Sequence, residues 1–157
     1  MPRASSHRYR LLFAKTEAMR FTGQLDLHRT WERTLRRARA PLAYTQGYSP
    51  HPRINFGAAL PLGFTSECEL VDVWLEAELD PSDLMESLVR AAPAALRILQ
   101  VTRVSPEEPT LQAQIGAAEY EVSLDMPVPP SDLEARIRRL LESPSLPRER
   151  RGKAYDL

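Results

Sequence analysis

Hydrophobic positions along the chain change their spacing several times, and each change marks an element. In "HRYRLLFAK" (7–15), Tyr9, Leu11 and Phe13 fall on one face and Leu12 and Ala14 on the other, which predicts a strand. In "TGQLDLHRTWERTLRRARAP" the apolar residues Leu27, Trp31, Leu35 and Ala38 recur at helical spacing and form one stripe. Thr22 or Gly23 can cap that helix, Asp26 suits its positive N-terminal end, and Pro41 closes it. Short apolar runs, "PLAYTQ" and "RINFGAAL", lie on either side of a proline-rich loop. "ECELVDVWLEAEL" (67–79) alternates again, with Val71, Val73, Leu75 and Ala77 opposing Leu70, Asp72, Trp74 and Glu76. In "DPSDLMESLVRAAP", Asp80 is an N-cap, Pro81 takes the first helical position, and Leu84, Leu88 and Ala91 form the buried face. "LRILQVTRV" (96–104) is the next strand, carried by Ile98, Leu99, Val101 and Val104.

Strand, helix, strand, strand, helix, strand is the ferredoxin-like split βαβ order, here over residues 7–105, and it predicts an α+β fold. "SPEEPT" reads as a linker. After it come a strand, "AEYEVSLDM" (118–126), and a helix opening in "PPSDLEARIRRLLES", where Ser131 and Glu134 form a capping box and Leu133, Ile137 and Leu140 line one side. Residues 106–157 therefore read as an incomplete second ferredoxin-like unit, its last stretch leading towards a strand that the chain does not contain.

Composition leaves this picture unchanged: hydrophobic residues make up 43% and charged residues 27%, as in ordinary globular proteins. No apolar run approaches the roughly 20 residues of a membrane span, and "MPRASSHRYR" has no apolar stretch after it to make a signal peptide. Cys68, the single cysteine, can form neither an internal disulfide nor the thiolate set of an iron–sulfur cluster. The simplest expectation is a reduced, cytoplasmic protein without a cofactor.

Charge does change the picture. The formal net charge is zero, yet residues 1–60 hold eleven Lys and Arg against three acids, a net +8 that residues 61–157 balance with −8. Such a split points to a polyanion partner for the first part, or to halves that neutralise each other internally. On the first helix Arg29, Arg33, Arg36 and Arg37 fall at offsets of 0, 4, 7 and 8, sharing a face away from Leu27, Trp31 and Leu35. Phosphate oxygens would favour such a row; a solvated face partly neutralised by Glu32 and acids of the second half is the plainer account.

The loop "YTQGYSPHPRINFG" (44–57) is the other candidate. Ser49 and His51 each precede a proline and are steered to extended backbone, while Pro50 and Pro52 fix φ and remove two amide donors. Gly47 allows the turn into it. A stiff, exposed run that presents Tyr48, His51 and Arg53 together has the stacking rings and cationic donors that grip unpaired RNA bases. The alternatives are a connector whose tyrosines pack on the sheet, or His51 acting as an acid or base, for which no nearby sequence supplies an orienting carboxylate. No catalytic residue is assigned. His7, His28 and His51 are too scattered for a local metal motif, Glu67 and Glu69 beside Cys68 read as edge charges, and no glycine-rich phosphate loop is present. "RERRGK" (148–153) reads as a flexible basic link.

The motifs "FAK", "MRF", "LDL", "ERTLRRA", "PLAY", "GYSPHPRINF" and "ALPLG", in that order, together with "AEYEV" and "RRGKAYDL", resemble the radical SAM-linked protein family, a bacterial domain of unknown function. The resemblance runs from residue 8 to the end. Family members carry a histidine before the "LDL" triplet; here that place is Gln24, preceded by Gly23. The resemblance implies a protein encoded beside or fused behind a radical SAM enzyme, which would own the cluster and S-adenosylmethionine, and often near genes for ribosomal proteins and a ribonuclease. It also implies a further strand-rich segment, so this copy is read as truncated. The function expected is a non-catalytic accessory module binding RNA, a ribosome-related substrate or the partner enzyme through Arg29, Arg33, Arg36, Arg37, Tyr48, His51 and Arg53. The alternatives are an RNA-processing enzyme using His51 and a protein-only docking subunit.

Overall fold

A computed structural model describes residues 6–125 and 127–156. The chain forms an α+β protein of two compact units, one running through Ala118 and the other from Glu119 onwards. In the first, β1 (His7–Lys15), α1 (Gln24–Arg37), β2 (Ile54–Phe56), β3 (Ser66–Leu75), α2 (Pro81–Ala91) and β4 (Leu96–Val104) follow in the expected order. The four strands make one antiparallel sheet, ordered β2-β3-β1-β4.

Register decides which side chains meet the helices. Tyr9 lies between Val73 and Arg103, and Leu11 between Val71 and Val101, so these residues share the helix-facing side. Trp31 of α1 sits edge-on to Phe13 with ring centroids 5.0 Å apart, and Leu27, Trp31, Leu35, Leu84 and Leu88 complete the buried layer. Asp80 caps α2, accepting from the Ser82 amide at 2.8 Å; that bond and the Ser82 hydroxyl hold its carboxyl below the usual range. The register of β1 on β4 jumps from Leu12↔Gln100 to Phe13↔Ile98, leaving Leu99 as the extra residue of a bulge. The bulge turns Leu99 outward while Ile98 and Val101 both face the core. Among the described residues no helix is long and apolar enough to cross a membrane.

Trp31 is wholly buried, yet among the described residues its indole N–H finds no acceptor. Trp31→Ala should cost about 3–5 kcal/mol of unfolding free energy. Trp31→Phe should stay within about 1.5 kcal/mol of wild type, because losing the unsatisfied donor offsets the lost contact area. Urea titration of the two variants checks both.

Lys15 is a second buried polar group, 1% exposed, with Nζ donating to the Arg20 carbonyl at 3.2 Å. Burial pushes its ammonium below the ordinary 10.5, opposed by the charge of Glu69. With the folded pKa below the unfolded one, protonation works against folding: the cost is full at neutral pH and fades as pH rises towards 10.5. Lys15→Met should therefore raise the melting temperature at pH 7, with the gap from wild type narrowing in alkali; a lower melting temperature at pH 7 would show that the bond to Arg20 outweighs burial.

The other side of the sheet carries Arg8, Arg10, Asp72 and Trp74, and the segment read as a linker covers it. Arg8 donates to the carbonyls of Glu108 and Pro109, both at 2.9 Å, and Arg10 Nη1 to Gln114 Oε1 at 2.8 Å. A short helix, α3 (Leu111–Gln114), buries Leu111, and Asn55 and Gln112 exchange amide bonds at 3.0 and 2.7 Å. A Cβ on Gly57 would stand 2.3 Å from Ile115 Cδ1 and 3.3 Å from Leu111 Cγ, so the glycine is what lets this strap lie close. Residues 105–115 thus belong to the first unit, not to a free link.

The second unit holds α4 (Pro130–Leu141) and a hairpin of β5 (Pro147–Arg150) and β6 (Lys153–Asp156). The expected strand at 118–126 does not form in residues 118–125, and Met126 lies outside the described residues. Its alternating Tyr120, Val122 and Leu124 are all exposed: alternation yields a strand only where a neighbouring edge supplies hydrogen bonds. The Ser131–Glu134 capping box is likewise not made; Pro129 is the N-cap and no side chain caps the helix. The basic run read as a flexible link is instead the hairpin, because Arg151 and Gly152 both take positive φ, 54° and 75°, as a two-residue primed turn requires.

Candidate nucleic-acid interface

The apolar stripe of α1 is spent on the sheet, so its arginines face solvent. Arg29, Arg33, Arg36 and Arg37 are all exposed. Arg29 Nη1 pairs with Asp26 Oδ1 at 3.1 Å, whereas Arg33, Arg36 and Arg37 make no ion pair among the described residues. The acid expected to neutralise them, Glu32, lies 3.7 Å from His28 Nδ1 instead. Arg36 and Arg37 occupy the last helical turn, where cations suit the negative end of the helix dipole. Arg33 has no such local reason.

The helix ends in a Schellman motif: the Ala40 amide donates to the Leu35 carbonyl at 3.1 Å and the Arg39 amide to that of Arg36 at 3.0 Å. The residue in the left-handed position is Arg39, with φ 57°, where glycine would avoid a cost of about 1–2 kcal/mol. Arg39 is exposed, makes no ion pair among the described residues, and adds a cation to the end of the row. The sequence reading did not single it out; the signal was an arginine at the helix-closing position just before "AP".

From here the chain reaches the edge of β3 that faces away from β1. Leu42 bridges Leu75, the Ala43 amide donates to the Trp74 carbonyl at 2.8 Å, and the Glu76 amide to the Pro41 carbonyl at 2.7 Å. Ile54, eleven residues after Ala43, pairs with Val73 on the same edge. Between them Tyr44–Pro52 is looped out, and its base is pinned: Tyr44 bridges Pro52, the Thr45 amide donates to the His51 carbonyl at 2.8 Å, and the His51 amide to Thr45 Oγ1 at 3.0 Å. The result is a compact Ω-type loop whose ends meet. Gly47, with φ 140°, makes the turn at its tip.

Tyr48 at that tip is fully exposed and Tyr44 is 38% exposed, so the account in which both tyrosines pack on the sheet does not hold for Tyr48. The His51 side chain is exposed, and its ring has no hydrogen-bond partner among the described residues. Arg53 departs from the expected grouping. Ile54 faces the helices, so Arg53 turns to the opposite side, where its guanidinium stacks 4.6 Å from the Trp74 ring and donates to Ser6 Oγ at 2.9 Å. Strand alternation is the reason: neighbours in a strand point to opposite faces.

Arg39 and Tyr44 are five residues apart, at most about 18 Å of chain. The base of the pinned loop therefore lies within that reach of the end of α1, and Arg29 lies eight residues before Arg37, about 12 Å back along the helix. Arg33, Arg36, Arg37, Arg39, Tyr48 and His51 are all exposed, whereas Arg53 lies on Trp74. Among the described residues no grouping of three His, Cys, Asp or Glu side chains could hold a metal ion.

Comparison with curated proteins and with solved structures finds no match to either. Residues 8–156 match the family model described as an uncharacterized protein conserved in bacteria, DUF2344, and since that span takes in nearly the whole sequence, the chain belongs to this family.

Proposed function

We propose that the chain is a non-catalytic RNA-binding module. In this reading the guanidiniums of Arg33, Arg36, Arg37 and Arg39, joined at the far end by Arg29, hold phosphates, while Tyr48 and His51 stack on unpaired bases. The ferredoxin-like arrangement of the first unit would provide the rigid frame. The observation that carries the reading is that Arg33, Arg36, Arg37 and Arg39 are exposed and make no ion pair among the described residues, together with a pinned loop that holds a tyrosine wholly in solvent. The resemblance to radical SAM-linked proteins gives the context: an accessory subunit that holds RNA, or a ribosome-related substrate, for an enzyme that brings its own cluster.

The test is binding of a fluorescent, unstructured oligoribonucleotide to the wild type and to the Arg33→Glu/Arg37→Glu variant. Binding should be lost in the variant; unchanged affinity would overturn the reading. Cleavage of that RNA, abolished by His51→Ala with binding intact, would replace it by an RNA-processing enzyme.

A further inference from the structure

Exposed large apolar side chains gather at another corner of the first unit, where β1 gives way to α1. Phe21 and Leu25 are each 77% exposed and Leu62 is 63% exposed, with Phe64 at 42% beside them. Two hydrogen bonds stitch the segments together: the Gly63 amide donates to the Arg20 carbonyl, and Arg20 Nε to the Gly63 carbonyl, both at 3.0 Å. Residues 61–64 form a turn closed by the Phe64 amide on the Pro61 carbonyl at 3.3 Å, with φ 89° at Gly63, which lifts Leu62 outward. From below, buried Lys15 donates to the same Arg20 carbonyl. The turn carrying Leu62 is therefore fixed against Arg20, the neighbour of Phe21, by built contacts, and exposed apolar side chains held in this way mark an interaction site.

Its rim identifies the partner. Arg20 pairs with Glu17 at 3.2 Å and Arg29 with Asp26 at 3.1 Å, all four side chains lying at the surface. The rim thus carries equal charges of both signs, unlike the unpaired arginines at the other end of α1. Anionic lipid or RNA would draw on an excess of positive charge, which this rim does not have. A two-fold interface needs one patch to carry both signs, since each copy's cation must meet the other's anion around an apolar centre.

We propose that two copies of this chain pair about a two-fold axis through the Phe21–Leu25–Leu62 corner, with Glu17/Arg20 and Asp26/Arg29 exchanging partners across the rim. The proposal does not depend on RNA binding, since the patch and the arginine row share only Arg29.

Sedimentation velocity of the full chain across a wide concentration range tests it. The mass should move from monomer to dimer as concentration rises, and Phe21→Asp and Leu62→Asp should each raise the dissociation constant at least tenfold while leaving the thermal melt unchanged. Arg29→Asp should weaken the dimer, and the swapped pair Asp26→Arg/Arg29→Asp, which restores both signs and leaves the Arg20–Gly63 bond intact, should recover it. A chain that stays monomeric throughout, a dimer indifferent to Phe21→Asp and Leu62→Asp, or a monomer that uses this corner only to bind anionic vesicles would overturn the proposal.

Discussion

Asp72→Ala should bring the first unit to the edge of unfolding. Asp72 is fully buried and accepts from Arg8 Nε at 2.8 Å and from Arg10 Nε and Nη2 at 2.9 and 3.1 Å. Arg8 is 8% exposed, and the hydrogen bonds that Arg10 donates to Asp72 hold its guanidinium above its ordinary value, against the effect of burial. Neither arginine can shed its proton, so removing the carboxylate strands two desolvated cations. Breaking a buried pair in this way costs about 3–5 kcal/mol, a large share of the ~5–15 kcal/mol that holds a domain folded. Glu108 lies 3.9 Å from Arg10 Nη1 and compensates only weakly at that distance. The strap should loosen with the cluster, because Arg8 orients it through the carbonyls of Glu108 and Pro109. Circular dichroism melts and limited proteolysis at 105–115 read both effects. The triple variant Arg8→Met/Asp72→Leu/Arg10→Met should recover most of the stability, since an apolar replacement of a buried ion cluster is often neutral or favourable. If Asp72→Ala melts like wild type, the cluster is not desolvated as described.

The contrast between that cluster and the helices shows what the sequence could express. Helix α1 was readable because Leu27, Trp31 and Leu35 repeat at its period, and α2 because Asp80–Pro81 is a local start signal whose chemistry needs no distant partner. Asp72 sits between Val71 and Val73 in a strand, and only the pairing of Arg10 with Asp72 across β1 and β3 reveals what it serves. The strap was invisible for a related reason: Arg8 is anchored to backbone carbonyls, which side-chain patterns do not report. Residues 118–125 failed in the opposite direction, their alternation promising a strand that no adjacent edge completes. At the candidate site, the arginine row followed from helical spacing alone. The placing of Arg53 did not, because it depends on where β2 begins: one residue fewer in the Ω-loop would have reversed its side.

The salt dependence of RNA binding should separate the parts of that site. If Arg33, Arg36, Arg37 and Arg39 each neutralise one phosphate of a single strand, the logarithm of the binding constant should fall against that of salt with a slope of about −3. Arg33→Glu/Arg37→Glu should halve that slope or better and weaken binding well beyond tenfold at low salt, because two contacts vanish and two like charges face the polyanion. Tyr48→Ala should behave differently. Stacking on one ring is worth about 1–3 kcal/mol and releases no counterions, so affinity should drop while the slope stays put. Arg53→Ala is the control that the geometry demands: its guanidinium lies on Trp74, and the substitution should lower thermal stability without moving the slope. Equal slopes for the wild type and the double charge reversal would mean that the outward arginines of α1 meet no phosphate. Tyr48 would then have to be explained as a contact for protein.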